Sequence, residues 1–229
     1  MALAQGMRET RGALERWRGD PGAVLRAWVI GGLGFATGLL TGVLIVAMIV
    51  QPDFSPVLIP GISFPIDFED YFSVIARNGL VLALHAVACV AGFIAGSSLP
   101  LQAQHMSGWR RAVHERARPL AFAWVVCVIT FSLVTQTFIL GSTGSQLAAA
   151  LDLSPGVLVL TVAPHALVEL TAVFLPLAAW TIASRRGEWS DLLAATFATV
   201  AVALPMLIVA AAWETLVWPG LIEMASPMV

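Results

Sequence analysis

Five apolar stretches, Ala27 to Val50, Gly79 to Leu99, Leu120 to Leu140, Gly156 to Ile182 and Leu192 to Val217, set the limits on this chain. Each can cross the roughly 30 Å of a bilayer's hydrocarbon core as a helix of about 20 residues. Lipid offers backbone N–H and C=O groups no partners, so such stretches become helices, which satisfy those groups internally. Composition agrees: the 229 residues are 59% hydrophobic and 11% charged, with a mean hydropathy of +0.87. The longest polar segments are the N-terminal tail, Gln51 to Asn78 and Gln102 to Arg118, all too short to bury a core of their own. The expected fold is all-α: a polytopic transmembrane bundle of about five spans. Residues 1–26 form an arginine-rich cytoplasmic tail, 27–217 a single membrane domain and 218–229 a short external tail.

All twelve basic residues are arginines. Arg8, Arg11, Arg16, Arg18 and Arg26 precede the first span, Arg110, Arg111, Arg116 and Arg118 follow the second, and Arg185 and Arg186 follow the fourth. Only Arg77 falls on the other side. The positive-inside rule then places the N-terminus in the cytoplasm and, after five crossings, the C-terminus outside. The first span is too long for a cleaved signal peptide and is expected to stay as an anchor. Cys89 and Cys127 both fall within spans, where cysteine behaves as a small buried apolar residue rather than as part of a disulfide framework.

Gly34, Gly38 and Gly42 recur every four residues in the first span, and Gly92 and Gly96 in the second. Such faces let another helix approach closely, within the protomer or across a homodimer. Ser154 followed by Pro155 is a specific helix start, an N-cap residue before proline at the first helical position. Pro164 and Pro176 in the fourth span and Pro205 in the fifth are expected to kink or break those helices, because proline removes one backbone donor and crowds the preceding turn. Outside the spans, the proline-rich segment Gln51 to Asp70 reads as an interfacial cap or an external docking surface. The connector Gln102 to Arg118, with Arg110 and Arg111, reads as a cytosolic docking surface or as a plain topology determinant.

The residue that most asks for a role is Glu169, near the middle of the fourth span. An ionised, unpaired carboxylate in lipid costs roughly 2.5 kcal/mol or more on the mildest insertion scale, so it must face protein, water or a partner. His165, four residues earlier, shares its helix face. Pro164 opens the backbone just before it. With about 1.5 Å of rise per residue, His85 in the second span and His165 both fall roughly 6 Å from the midplane, in one layer with Glu169. Gln136 lies somewhat nearer the outer surface, and Glu214 near the outer interface. Two readings of His85, His165, Glu169 and Gln136 stand open: a proton-sharing polar cluster that fixes helix packing, or, for the two histidines and Glu169, a three-ligand transition-metal set. No dense ligand motif such as HExxH supports the metal, and neither a metal nor a cofactor is expected. Ser142, Thr143 and Ser145 lack a base at a readable spacing and read as a turn rather than a nucleophile site.

Two segments resemble the stage II sporulation protein M family of bacterial membrane proteins. Phe72 to Gly96 (FSVIARNGLVLALHAVACVAGFIAG) is similar to its asparagine-led span, with Asn78 at the second asparagine position. Pro164 to Trp180 (PHALVELTAVFLPLAAW) is similar to its histidine-glycine then glutamate-leucine motif, with His165 and Glu169 matching residue by residue. Arg77 and Ala166 depart from the pattern, and the two segments cover under a fifth of the chain. The resemblance implies a multi-span subunit of the bacterial cytoplasmic membrane. It would work with others, beside ABC-type ATPases, in septal peptidoglycan remodelling or in bacteriocin maturation and export.

Three function classes follow. The first is a non-catalytic membrane subunit, the permease-like or scaffold part of an ATPase-linked export or envelope-remodelling system, whose partners are the lipid bilayer and other membrane or cytosolic subunits. The second is a proton- or ion-coupled carrier using Glu169. The third is an intramembrane metal-dependent enzyme using His85, His165 and Glu169. No GxxxxGK[ST] loop is present, so the chain binds no nucleotide by that motif, and nothing supports nucleic-acid recognition.

Overall fold

Local chemistry fixes where the long helices begin. Asp20 precedes Pro21, and its Oδ1 accepts from the Ala23 N–H at 2.9 Å, which starts α2 (Pro21–Ile49). Asp67 and Asp70 form a reciprocal capping box, and α3 (Phe68–Phe93) follows. Ser154 Oγ accepts from the Val157 N–H at 3.3 Å, so α6 (Pro155–Arg186) starts with proline at its first position. Each cap satisfies an N–H that has no partner inside its own helix. At the far end of α6, Gly187 takes the left-handed conformation, φ 72°, that lets a helix stop without a Cβ clash.

The computed structural model describes residues 2–52, 65, 67–104 and 107–226, and for residues 2–4, 110–118 and 121 the backbone alone. The remaining helices are α1 (Ala2–Trp17), α4 (Leu99–Gln104), α5 (Gly108–Ala150), α7 (Leu192–Leu216) and α8 (Trp218–Ala225). A π-helical turn, Ile94–Ser98, joins α3 to α4, and a 3-10 turn, Trp189–Asp191, leads into α7. Among the described residues there is no strand. Five segments are long and apolar enough to cross a membrane: Pro21–Ile49, Phe68–Gln104, Phe122–Ala150, Pro155–Arg186 and Trp189–Ala225. The chain is thus an all-α, multi-pass integral membrane protein. α6 runs through Pro164 and Pro176, and α7 through Pro205, as unbroken helix, so these prolines do not divide the spans.

The connector from Gln102 to Arg118 is no separate loop, because from Gly108 its backbone is continuous with α5. The side chains of Arg110 and Arg111 lie outside the described residues, as does most of the proline-rich segment Gln51 to Asp70. The N-terminal tail is ordered as α1 and held under the bundle. Arg16 forms an ion pair with Asp191 ahead of α7, and Ser97 Oγ donates to the Glu9 carboxylate at 3.0 and 3.1 Å.

At the centre stands α6. From Leu170 to Trp180 every residue is buried, which a helix can only achieve with neighbours on all sides. Those neighbours are α2, α3, α5 and α7. Phe174 and Leu175 are wholly enclosed. α2 meets α6 through Gly31 and Gly32: a Cβ on Gly31 would stand 2.9 Å from the Ala178 methyl, and one on Gly32 3.0 Å from the Thr171 carbonyl oxygen. α3 and α6 run parallel. Asn78 is level with Glu169, His85 with Val173 and Cys89 with Pro176.

Candidate functional site

Glu169 sits one residue before the fully buried stretch of α6 begins, and it is itself half-buried. It faces α3 and α7. The Asn78 side chain lies toward its carboxyl, and the Arg77 guanidinium and the Glu214 carboxyl are near enough to act on it electrostatically, without an ion pair in direct contact among the described residues. Arg77 acts on Glu214 as well. Three helices therefore turn one guanidinium, one amide and two carboxyls toward a shared region, near enough to act on one another through space. Tyr71, two turns earlier on α3, donates from its hydroxyl to the Ile208 carbonyl oxygen at 3.3 Å and ties α3 to α7 beside the cluster. Two carboxyls against one guanidinium leave a place for one further positive charge. Uncompensated charge in a low-dielectric setting is costly, so a proton or a bound cation suits that place.

His165 takes no part through its Nδ1, which is buried without a hydrogen-bond partner. Its ring packs edge-on against Trp218, centroids 6.2 Å apart at 65°. The Trp218 indole N–H in turn donates to Thr161 Oγ1 at 3.3 Å, so the start of α8 closes over the first half of α6. The i, i+4 spacing of His165 and Glu169 makes them neighbours on α6, yet each finds its company on a different helix.

His85 lies deeper. It is wholly buried, and its Nδ1 is 2.9 Å from the Val173 carbonyl oxygen, with its ring 5.2 Å from that of Phe174. A carbonyl only accepts, so Nδ1 carries the proton in this contact. Pro176, three residues on, takes the in-helix donor from the Ala172 carbonyl, and the neighbouring Val173 carbonyl receives a donor from another helix, His85 of α3. One turn further, the Cys89 thiol donates to the Pro176 carbonyl oxygen at 3.0 Å. Gln136 is elsewhere, half-buried on α5, where its side chain donates to Ser132 Oγ at 2.8 Å.

The expected single layer of His85, His165, Glu169 and Gln136 is thus distributed over four settings. Among the described residues no three His, Cys, Asp or Glu side chains converge to hold a metal ion. The three-ligand set fails because a common depth does not confer a common face. Glu169 has instead gained Arg77 and Glu214, which depth alone had kept apart from it. A sign of this was present in the sequence: Arg77 is the single arginine away from the arginine-rich side, and it adjoins Asn78 at the head of a span.

The small-residue faces also divide. Gly42 is close to α5, with a Cβ there 2.8 Å from Thr137 Cγ2. Gly34 and Gly38 meet nothing within 4 Å, and instead line an apolar groove of about 420 Å³ between α2 and α5. Four residues turn an α-helix through about 400°, so a stripe with that spacing drifts by about 40° per step and leaves its first face. On α3, a Cβ on Gly92 would stand 2.6 Å from Trp180 Nε1 and 2.9 Å from Leu192 Cδ1, and in the π-helical turn one on Gly96 would run into the Trp189 ring. No family model, curated protein or solved structure matches the chain significantly.

Proposed function

We propose that this chain is a non-catalytic integral membrane subunit whose energy or chemistry comes from a partner. The observation that carries the reading is the uncovered face formed by α2 and α5. The groove over Gly34 and Gly38 is bordered by Phe35, Leu133, Val134 and Phe138, and α5 presents Trp124, Phe131 and Phe138 outward. Backbone exposed at small residues beside a ridge of bulky ones is a shape that takes another transmembrane helix. The resemblance to the stage II sporulation protein M family supports an ATPase as partner, export or envelope remodelling as the process, and the bacterial cytoplasmic membrane, N-terminus inside, as the location. Mild-detergent affinity purification from the native host is expected to recover a stoichiometric second protein, lost on Gly38→Leu. Purification of the chain alone under those conditions would overturn the reading.

A second reading, a proton- or ion-coupled carrier, is favoured by the cluster of Arg77, Asn78, Glu169 and Glu214, since two carboxyls and one guanidinium can take up and release a single positive charge. Liposomes holding the chain alone separate the two. Solute or ion movement abolished by Glu169→Gln supports the carrier, and impermeable liposomes support the subunit.

A further inference from the structure

At the arginine-rich end of the bundle a cleft of about 800 Å³ opens between α1 and the adjoining faces of α3 and α7. That volume lies within the range of pockets that enclose small-molecule ligands, about 300–1,000 Å³. Its wall is hydrocarbon, with Val90 and Phe93 from α3 and Leu193 and Phe197 from α7. α1 is docked along one side, by Arg16 to Asp191, by Glu9 to Ser97 and at Gly6, where a Cβ would stand 2.9 Å from Leu193 Cδ2, while its other side rides over the cleft. Its apolar Met7 and Leu14 are left 73% and 51% exposed, although both border the cleft.

The rim has a different character. It carries Arg11, Glu15 and Arg18. Glu15 is held by Arg11 Nε at 3.0 Å, the Glu9 carboxylate is taken by Ser97 and Gln5, and Arg16 is committed to Asp191. Among the described residues Arg18 has no carboxylate partner. The rim therefore keeps a net positive charge, at the end of the chain's spans where arginines gather. An apolar slot beneath a cationic rim at headgroup level matches a molecule with hydrocarbon chains and a negative head.

We propose that this cleft is a binding site for one anionic phospholipid of the adjacent leaflet, its acyl chains along Val90, Phe93, Leu193 and Phe197 and its phosphate at Arg11 and Arg18. The lipid would complete the docking of α1 by covering Met7 and Leu14. This does not depend on whether the chain is a subunit or a carrier.

Native mass spectrometry of the delipidated full chain, titrated with phosphatidylglycerol or phosphatidylcholine of the same acyl chains, tests it. Wild type is expected to retain one phosphatidylglycerol at least fivefold better than phosphatidylcholine, since each arginine near a net-anionic headgroup is worth about fivefold in affinity, whereas the choline of phosphatidylcholine offsets its phosphate. Arg11→Gln with Arg18→Gln should remove that preference, and Arg11→Lys with Arg18→Lys should keep it. Val90→Trp, which fills the slot and leaves the rim intact, should lower retention of both lipids. Equal retention of the two lipids by wild type would overturn the proposal whatever the variants do. So would unchanged phosphatidylglycerol binding in the folded double glutamine variant, or in Val90→Trp.

Discussion

His85 on α3 donates from Nδ1 to the Val173 carbonyl oxygen of α6 across 2.9 Å, in the turn crowded by Pro176. A neighbouring helix thus adds a donor next to the Ala172 carbonyl, whose own in-helix donor Pro176 removes. His85→Ala should destabilise the bundle by about 2–4 kcal/mol, from a lost buried hydrogen bond together with the cavity left by a wholly buried ring. His85→Asn, which keeps a donor near the Nδ1 position, should recover part of it. Unfolding in mixed micelles of rising denaturing detergent measures both, and equal losses for the two variants would show that the hydrogen bond contributes nothing.

Glu169 and Arg77 should be coupled. Glu169→Gln keeps a polar side chain toward Asn78 and should fold, whereas Glu169→Lys sets a second cation near Arg77 and should lower the folded yield. Arg77→Gln should cost more in the presence of Glu169 than in the Glu169→Gln background, by about 0.5 kcal/mol for charges coupled through space in one network. Additive losses in that cycle would mean that the two do not interact.

Much of the fold was legible in the sequence because hydrocarbon is an unforgiving solvent. Five runs of sufficient length leave helices as the available solution, and Ser154 with Pro155 marks the start of α6 to the residue. The site was legible only in part. Glu169 stood out by cost alone, but its partners depend on helix rotation, which neither periodicity nor depth fixes for a helix buried on all sides. His165 and Glu169 share a face of α6, yet Trp218 and Asn78 divide them, and both belong to elements whose approach to α6 is set by tertiary packing. The glycines show the same limit, since Gly31 and Gly32 make the contact with α6 while Gly34 and Gly38 stay open.

Gly42 and Gly38 should therefore respond differently to the same change. Gly42→Leu drives a side chain into Thr137 and should separate α2 from α5, with loss of folded protein. Gly38→Leu has room within the protomer and should leave its thermal stability within about 0.5 kcal/mol of wild type, as for a surface position, while blocking assembly through the groove. Size-exclusion chromatography with a thermal unfolding curve for each variant separates the outcomes. Similar instability at both positions would contradict the open groove.

The ion pair between Arg16 and Asp191 should anchor α1. Asp191 is 8% exposed, so Arg16→Gln leaves a largely buried carboxylate with Ser190 as its remaining side-chain donor, at a cost of about 1–3 kcal/mol. Limited proteolysis should then cut between Trp17 and Pro21 sooner than in wild type. The double variant with Asp191→Asn should restore much of the protection, because the stranded charge is gone. Faster cleavage in the double variant than in Arg16→Gln would show that the pair is not what holds α1.

The arginine distribution predicts an orientation, and the fold supplies two exposed positions to test it. Glu188 lies between α6 and α7 at the arginine-rich end, and Glu223 lies on α8 at the opposite end; both are solvent-exposed. Cys127 is exposed on α5 and should be replaced with alanine, and Cys89→Ser keeps a donor for the Pro176 carbonyl. On that background, an impermeant maleimide applied to intact cells should label the Glu223→Cys variant at once. It should label the Glu188→Cys variant only after permeabilisation if, as the positive-inside rule predicts, the end that gathers eleven of the twelve arginines is cytoplasmic. The reverse pattern would invert the protein in its membrane. It would also place the cleft under α1 in the outer leaflet and leave the face formed by α2 and α5 as the remaining route to a partner.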